Sequence, residues 1–174
     1  MWRIEEIKPT KIVPFMQVYQ KVFGGEPYNE KWTFKEILEE KKLIIREAGK
    51  LIGFYRDEKL IGFVTYRNML QNEHLEISYP ETENVGYISD IAVLEEFRNQ
   101  GIGSMLFETC LKSMRADGFT IALMRTLKNG SMSYNIAKRH GLKEILGKEE
   151  IVKKERINND KPQKDIRIFL DVKL

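Results

Sequence analysis

Hydrophobic side chains recur along the first part of the chain at two spacings, and these spacings predict which segments are strands and which are helices. Residues 2–7 alternate enough to form a strand, and a break at Pro9 follows. Thr33 and Glu36 have the spacing of a capping box, which predicts a second helix that runs to about Lys42. Between the break and this box, apolar residues recur at the spacing of a first helix: Ile12, Phe15, Val18, Tyr19 and Val22.

From Leu43 onward the spacing of apolar residues becomes that of strands. We place Ile44 in the first strand of a β-hairpin whose polar turn lies at residues 56–59. Residues 68–84 then form a long polar connection, with a strand extension expected at residues 75–78. A connection of this length inside a compact domain is often functional.

The second half of the chain alternates strands with helices. The predicted helix at residues 101–117 carries its apolar side chains on one face, and Gly118 ends it. Together, the elements predict an α/β (α+β) fold, in which a mixed sheet has helices on both faces. The order in this half is a strand at 85–93, the helix at 101–117, a strand at 120–127, a helix at 131–140 that Gly141 closes, and two strands at 142–153 and 165–172 separated by the polar stretch 155–164.

Composition narrows the functions that such a fold can have. The 174 residues are 42% hydrophobic, so we expect one domain, residues 1–174. No apolar run approaches the roughly 20 residues of a membrane span, and we expect a cytoplasmic protein without a membrane partner. Cys110 is the only cysteine and only His74 and His140 accompany it, so we expect neither a disulfide nor a metal. The net charge of +3 is not clustered, and we expect no nucleic-acid partner.

One segment carries candidate chemistry, because the predicted strand that ends at Val93 leads through a short turn into a helix. Gly101 and Gly103 let the backbone approach a bulky anion, and the first N–H groups of a helix have no partner within it. The helix dipole adds about half a positive charge there, with Arg98 at the rim. The alternative is a pair of glycines that merely starts a helix. Leu106 occupies the third-glycine position of a dinucleotide fingerprint, which argues against that ligand.

Residues 90–93, Asp-Ile-Ala-Val, and residues 98–103, Arg-Asn-Gln-Gly-Ile-Gly, resemble the acetyl-CoA-binding motif of the GNAT superfamily of acyl-CoA N-acyltransferases. The turn of that family has the pattern Arg/Gln-x-x-Gly-x-Gly/Ala. The order of predicted elements is also similar, so the resemblance covers essentially the whole chain and is strongest at residues 87–142. It implies an N-acetyltransferase domain whose mixed, mostly antiparallel sheet is flanked by about four helices.

The resemblance implies a role for each matched residue. Backbone groups of Ile91, Ala92 and Val93 would bind the pantetheine arm of acetyl-CoA, as they would bind an added strand. Asn129 would border the cofactor, although it could equally be a solvated helix cap. The pyrophosphate would be held by the turn and the start of the helix: Arg98, Asn99, Gln100, Gly101, Ile102, Gly103 and Ser104.

Two residues are the leading candidates for the proton transfers of amide formation. Some family members place a carboxylate at the position of Asp90, which makes Asp90 the leading base, with a structural hydrogen-bonding role as its alternative. The family often has a tyrosine as general acid four residues before the closing glycine, but Ala137 occupies that position here. Tyr134, one turn earlier, is the candidate acid, with core packing as its alternative. Weaker candidates for the base are Tyr87, Glu73, His74 and Glu76.

The acceptor would lie against the first two helices, where the family builds a wall. The aromatic segment between these helices supplies Tyr28, Trp32 and Glu26 as candidate substrate-binding residues. Glu26, Glu30 and the acidic connection at residues 72–83 would favour a cationic acceptor, although solvated carboxylates are the default interpretation.

The function that the resemblance implies is direct transfer of acetyl from acetyl-CoA to a primary amine of an unidentified small molecule or peptide. A catalytically weak acyl-CoA-binding sensor or interaction module is the alternative, because Ala137 stands where an acid is expected. The closing strands of such folds often meet across dimers, so a homodimer is a further expectation. We assign Cys110 to the core and His140 to a helix C-terminus.

Overall fold

The computed structural model describes residues 1–69, 77–128, 131–156 and 159–174, with side chains described outside residues 154–163. Within these ranges, no helix is long and apolar enough to cross a membrane. The strands of the described chain form one seven-stranded sheet, and helices pack against it.

Strands and helices follow one another much as the sequence predicts. The predicted mixed, mostly antiparallel sheet with helices on both faces is confirmed. In chain order the elements are β1 (Trp2–Glu6), α1 (Ile12–Gly24), α2 (Phe34–Arg46), β2 (Lys50–Arg56), β3 (Lys59–Asn68), β4 (Val85–Val93), α3 (Ile102–Ala116), β5 (Ile121–Leu127), α4 (Met132–Arg139), β6 (Lys143–Arg156) and β7 (Asn159–Lys173).

The sheet has the strand order β1-β2-β3-β4-β5-β7-β6, and only the β4–β5 pair is parallel. This pair is short. It begins at Val85 opposite Ile121 and ends at Ile88 opposite Met124, although both strands continue beyond these residues. The C-terminal halves of β4 and β5 therefore separate, and a gap opens near the centre of the sheet.

Alternate residues of β3 pack against helices on opposite faces of the sheet. The ring of Phe63 lies 4.6 Å from that of Phe15 in α1. Three residues later, the hydroxyl of Tyr66 lies 2.6 Å from the side chains of both Ser113 and Asp117 at the end of α3. Because side chains alternate along a strand, α1 and α3 cover different faces, and Cys110 is buried within α3, as expected.

The helix ends follow the predicted capping residues. The Thr33 hydroxyl accepts a hydrogen bond from the Glu36 backbone N–H at 3.2 Å, and the Glu36 carboxylate accepts one from the Thr33 N–H at 2.7 Å. These reciprocal bonds form the predicted capping box at the start of α2. Gly118 and Gly141, with φ of +84° and +88°, follow α3 and α4 in the left-handed conformation.

The prediction that strand structure begins at Leu43 is wrong, because α2 continues to Arg46. Ile37, Lys41 and Ile44 are spaced by one helical turn and are buried on the same side of α2. Ile44 therefore continues the helical face, and its apolar neighbours gave it a misleading resemblance to a strand.

The closing strands are longer than predicted, since the polar stretch at residues 155–164 lies largely within β6 and β7. Lys153 pairs with Lys164, and Lys154 with Gln163. Backbone hydrogen bonds can extend a two-stranded ribbon without burying either of its faces. The sequence of such an extension therefore need not alternate between apolar and polar residues. Of the strand extension predicted at residues 75–78, residues 75–76 lie outside the described residues, and residues 77–78 are not in a strand.

Candidate active site

A bulge in β4 sets the position of Asp90. The register between β3 and β4 shifts next to the pair Thr65–Asp90, which leaves Ser89 as the extra residue. The Thr65 hydroxyl donates to Asp90 Oδ2 at 3.5 Å, and the Tyr19 hydroxyl donates to Asp90 Oδ1 at 3.4 Å. The half-buried carboxylate of Asp90 therefore lies on the face of the sheet that α1 covers.

The gap between β4 and β5 opens beside this carboxylate. On its other edge β4 remains paired with β3, through Ile91, Ala92 and Val93. A strand edge released from its neighbour is suited to an extended ligand with amide groups. A cavity of about 60 Å³, the strand-gap cavity, occupies the opening and is lined by Phe23, Tyr28, Ile88, Ser89, Asp90, Ile91, Met124, Arg125, Thr126, Ser133 and Arg167.

At the end of β4, the backbone turns into α3 and presents the N-terminus of this helix. Gly101 is the N-cap, no described side chain caps the helix, and its first turn has no acidic residue. The unbonded N–H groups and the helix dipole of such a terminus attract anions. The turn cavity, of about 260 Å³, lies here and is lined by Val93, Phe97, Arg98, Asn99, Gly101, Ile102, Gly103, Ser104, Met132, Ile136 and Arg139.

The two glycines of this turn have different surroundings. Gly101 has φ of +78°, and no described atom lies within 4 Å of the place where its Cβ would be. Glycine is therefore favoured at position 101 by the positive φ, and not by a lack of space for a side chain. At Gly103, a Cβ would lie 2.8 Å from Cδ1 of Ile136, so this glycine also lets α3 approach α4.

Polar side chains surround the turn. The Nε of Arg98 donates to the Val93 carbonyl at 3.2 Å, which holds the arginine at the rim of the turn cavity. The Ser104 hydroxyl and Nε2 of His140 lie 2.7 Å apart and connect the start of α3 to the end of α4. Gln100 is exposed and does not line the turn cavity, and its side chain donates to the Glu96 carbonyl at 3.4 Å.

A third cavity, the polar cavity, lies between the first two helices and the sheet and measures about 210 Å³. Aromatic side chains of α1 and of the loop after it form one wall, and strands supply charged side chains to the other. The polar and strand-gap cavities share six residues, among them Asp90. The lining comprises Tyr19, Phe23, Tyr28, Glu30, Trp32, Glu40, Leu43, Arg67, Tyr87, Ser89, Asp90, Arg125 and Arg167.

Two tyrosine hydroxyls in these walls keep their protons at neutral pH. Burial raises the pKa of Tyr19 well above its usual value, and the charge of Asp90 raises this pKa further. Burial also raises the pKa of Tyr28, although the cations Arg167 and Arg98 act in the opposite direction. Both hydroxyls can therefore act as hydrogen-bond donors.

The predicted acceptor residues have different environments. Tyr28 and Trp32 line the polar cavity, whereas Glu26 is exposed and is not part of its wall. Glu30 is buried, accepts a hydrogen bond from Trp32 Nε1 at 2.8 Å and lies 3.6 Å from Nη2 of Arg167. Glu30 is therefore not the solvated carboxylate that its sequence context suggested.

The remaining predicted site residues lie in the core, in the wall of the polar cavity or outside the described residues. Tyr134 packs against the hydrophobic core, while its neighbour Ser133 lines the strand-gap cavity. Tyr87 lines the polar cavity. Asn129 lies outside the described residues, as do Glu73, His74 and Glu76.

The arginines of the polar cavity were missed by sequence reasoning. Arg67, Arg125 and Arg167 come from β3, β5 and β7, so no local motif unites them. A signal was available at Arg125, which interrupts the otherwise uncharged strand Ile-Ala-Leu-Met-Arg-Thr-Leu. A charged residue within a predicted interior strand is unusual unless it has a partner or a ligand.

Solved structures with the same fold include several N-acetyltransferases. The ribosomal-protein-alanine N-acetyltransferase from Brucella melitensis is 13% identical, with a TM-score of 0.72 and coverage of 99% of both chains. The putative acetyltransferase yncA from Salmonella typhimurium, solved with acetyl-CoA, is 8% identical, with a TM-score of 0.73 over 99% of this chain and 94% of its own. The PaiA N-acetyltransferase from Thermoplasma acidophilum, in complex with coenzyme A, is 15% identical, with a TM-score of 0.66 over 100% and 99%.

At the level of sequence, no curated protein matches the chain. The family described as "Acetyltransferase (GNAT) family" does match, over residues 14–142, which is more than half of the chain. The matched segment runs from α1, through the bulge at Ser89 and the turn at Gly101, to the end of α4. It supports acyl transfer with acetyl-CoA as the donor. The chain belongs to the acetyltransferase (GNAT) family.

Proposed function

We propose that this chain transfers the acetyl group of acetyl-CoA directly to a primary amine. The observation that carries the proposal is the succession of three cavities along β4. The turn cavity includes Val93, the strand-gap cavity follows along Ile91 and Asp90, and the polar cavity shares Asp90 with it. A ligand held at the turn could therefore extend along the edge of β4 to the wall of the polar cavity.

The turn cavity suits the diphosphate of acetyl-CoA. The uncapped N-terminus at Gly101 offers backbone donors, and Arg98 and Arg139 add positive charge to the cavity wall. The edge of β4 from Ile91 to Val93 would then bind the pantetheine arm. These residues would fix the donor while the acceptor enters from the polar cavity.

The chemistry requires two proton transfers. Acetyl-CoA supplies a thioester whose carbonyl carbon forms a C–N bond with the acceptor nitrogen as the C–S bond breaks. Asp90 would take the proton that the nitrogen loses, directly or through a water molecule. The sulfur would leave as a thiolate and take up a proton from a hydroxyl donor or from water.

Tyr28 is a further candidate for the hydroxyl donor. Tyr134, which lies one turn before the position of the family's tyrosine, packs against the core. Tyr28 lines both the polar and the strand-gap cavities, and burial raises its pKa, so it carries its proton at neutral pH. We therefore include Tyr28 in the proposal as a donor to the departing sulfur, alongside Tyr134.

A specific observation favours the second function, an acyl-CoA-binding sensor or interaction module. Ala137 occupies the position where the family often has a tyrosine that acts as general acid, and Ala137 is completely buried. If no other group protonates the thiolate, the chain would bind acetyl-CoA and turn it over slowly.

Two measurements on the same preparation separate these functions. Calorimetry with acetyl-CoA and with CoA measures binding, and a thiol-release assay over a panel of primary amines measures transfer. We expect binding of both cofactors and amine-dependent release of thiol, with the acetylated amine identified by mass spectrometry. Binding without amine-dependent release across the panel would favour the sensor, and absence of binding would contradict both functions.

A further inference from the structure

We infer that the acceptor is a small molecule that carries an anionic group, a carboxylate or a phosphoryl group, in addition to its amine. This inference rests on the proposed function. It departs from the cationic acceptor that the acidic residues of the sequence suggested, because the wall of the polar cavity is rich in arginine.

Three arginines, one each from β3, β5 and β7, line the polar cavity. Arg67 is 4% exposed, and the side chains of Arg167 and Arg125 are 14% and 26% exposed. Withdrawing a guanidinium from water is unfavourable unless anions or hydrogen-bond acceptors compensate it. The wall also carries the carboxylates of Glu30, Glu40 and Asp90, so it offers a ligand charges of both signs.

Protein groups contact each of the three arginines. Nη1 of Arg125 lies 2.7 Å from Glu150 Oε2, and Nη2 of Arg167 lies 2.9 Å from Asp165 Oδ2. The Arg67 guanidinium lies 5.1 Å from the ring centre of Tyr87. These contacts hold the arginines in place while leaving them in the cavity wall.

Two buried polar atoms on the wall lack a hydrogen-bond partner among the described residues. They are Nε of Arg167 and Oγ of Ser89, and both residues line the polar cavity and the strand-gap cavity. Buried polar groups in native proteins are nearly always hydrogen-bonded, so each such atom requires an explanation. The oxygens of a bound carboxylate or phosphoryl group would accept hydrogen bonds from both atoms.

The carboxylates of the same wall indicate where the amine would lie. Glu30 is engaged by Trp32 Nε1 at 2.8 Å and lies near Arg167, and Glu40 belongs to α2, away from the strand gap. Asp90 lines the strand gap itself, where the thioester would arrive. An acceptor with its amine toward Asp90 and its anionic group toward Arg167 would match the charges of both signs. The volume of about 210 Å³ suits a small molecule of this kind.

The first test compares acceptors that differ only in the second group. A series of amino acids, the corresponding aminophosphonates, their uncharged primary amides and diamines of equal length would be assayed for thiol release. We expect kcat/KM to be about 10- to 100-fold higher for the carboxylates or the phosphonates than for the amides, as a charge-assisted contact implies. The ratio of kcat/KM for the carboxylates to that for the phosphonates shows which anionic group the acceptor site prefers. Equal or faster reaction of the amides or diamines would overturn the inference while leaving the proposed function intact, whereas no release with any amine would overturn the proposed function.

The second test removes the arginine with the buried Nε. Arg167→Gln should raise KM for the preferred anionic acceptor by about 10- to 100-fold and change KM for its amide by less than about threefold. Arg167→Lys should recover part of the loss. Arg46→Gln, on the exposed side of α2, is the matched control for loss of an arginine. Calorimetry with CoA checks that each variant is folded, and an equal loss for the anionic acceptor and its amide would contradict the inference.

Discussion

The turn cavity and the polar cavity lie at opposite ends of the route along β4, and they are built from different parts of the chain. The turn presents backbone, with Gly101 in a left-handed conformation and an uncapped N-terminus of α3. The polar cavity presents side chains that come from as far apart as Tyr19 in α1 and Arg167 in β7. The turn is suited to a ligand portion that all acetyl-CoA enzymes share, whereas the cavity can change its specificity one side chain at a time.

This difference predicts how the two regions respond to mutation. Substitutions in the polar cavity should alter turnover or acceptor affinity and leave CoA affinity unchanged. At the turn, substitutions that change the backbone or remove the arginines of the cavity wall, Arg98 and Arg139, should weaken CoA binding, whereas the exposed Gln100 does not line the cavity. A variant that violated this division would show that the two sites are coupled.

The largest expected effect is at Asp90. Replacing the base should lower kcat by about 100-fold or more, because positioned proton transfer contributes about 10²- to 10⁴-fold. The variant Asp90→Asn tests this in the thiol-release assay, with CoA affinity measured in parallel. Asp57→Asn, on the exposed turn between β2 and β3, is the control. An unchanged rate and pH profile in Asp90→Asn would remove Asp90 from the mechanism.

The next prediction compares two tyrosines with different surroundings. Tyr28→Phe should lower kcat by about 10-fold, since a hydrogen bond to a charged group contributes about 1.5–3 kcal/mol. Tyr134→Phe should change kcat by less than about twofold if its role is packing. A single-turnover thiol-release measurement on both variants decides between them. A large loss in Tyr134→Phe with none in Tyr28→Phe would return the acid role to α4.

A pair of glycines at the two ends of α3 tests the backbone nature of the turn. Gly101 and Gly118 have φ of +78° and +84°, and neither has a described atom within 4 Å of its missing Cβ. Alanine at either position should cost about 1–2 kcal/mol of stability, because an L-residue is strained there. Calorimetry should find CoA affinity about 10-fold weaker in Gly101→Ala and unchanged in Gly118→Ala, because only the first meets the ligand. Equal CoA affinities in the two variants would contradict a backbone-built site.

The smallest effect concerns the helix that walls the polar cavity. Thr33→Ala removes half of the capping box of α2 and should lower the free energy of unfolding by about 1 kcal/mol at neutral pH. Hydrogen bonds from the Thr33 backbone and side chain hold the pKa of Glu36 below its usual value. The stability from these bonds is therefore present above the usual carboxyl pKa and is lost as pH falls through the lowered one.

Denaturant unfolding of the wild type and Thr33→Ala at several pH values measures this difference. We expect the gap in unfolding free energy to narrow on acidification, as pH falls through the lowered pKa of the Glu36 carboxylate. CoA affinity should be equal in the two proteins at neutral pH. A gap that widens on acidification would contradict the role assigned to the capping box.

The contrast between the two regions also explains how much the sequence alone could predict. The turn was identified because Arg98 and both glycines lie within six residues of one another, and the helical spacing of apolar residues and the capping box at Thr33 located most elements. The arginines of the polar cavity were missed because they lie on separate strands and come together only when the sheet forms. Ile44 was misassigned because a buried helical residue beside apolar neighbours has the same local pattern as a strand.

The proposed function requires CoA to bind along β4, from the turn at Gly101 to the carboxylate of Asp90. A crystal structure with CoA tests it most directly. We expect the pyrophosphate at the N-terminus of α3, the pantetheine arm in the gap between β4 and β5, and the sulfur at the junction of the strand-gap and polar cavities. A CoA molecule bound elsewhere, or one whose sulfur points away from the polar cavity, would contradict it.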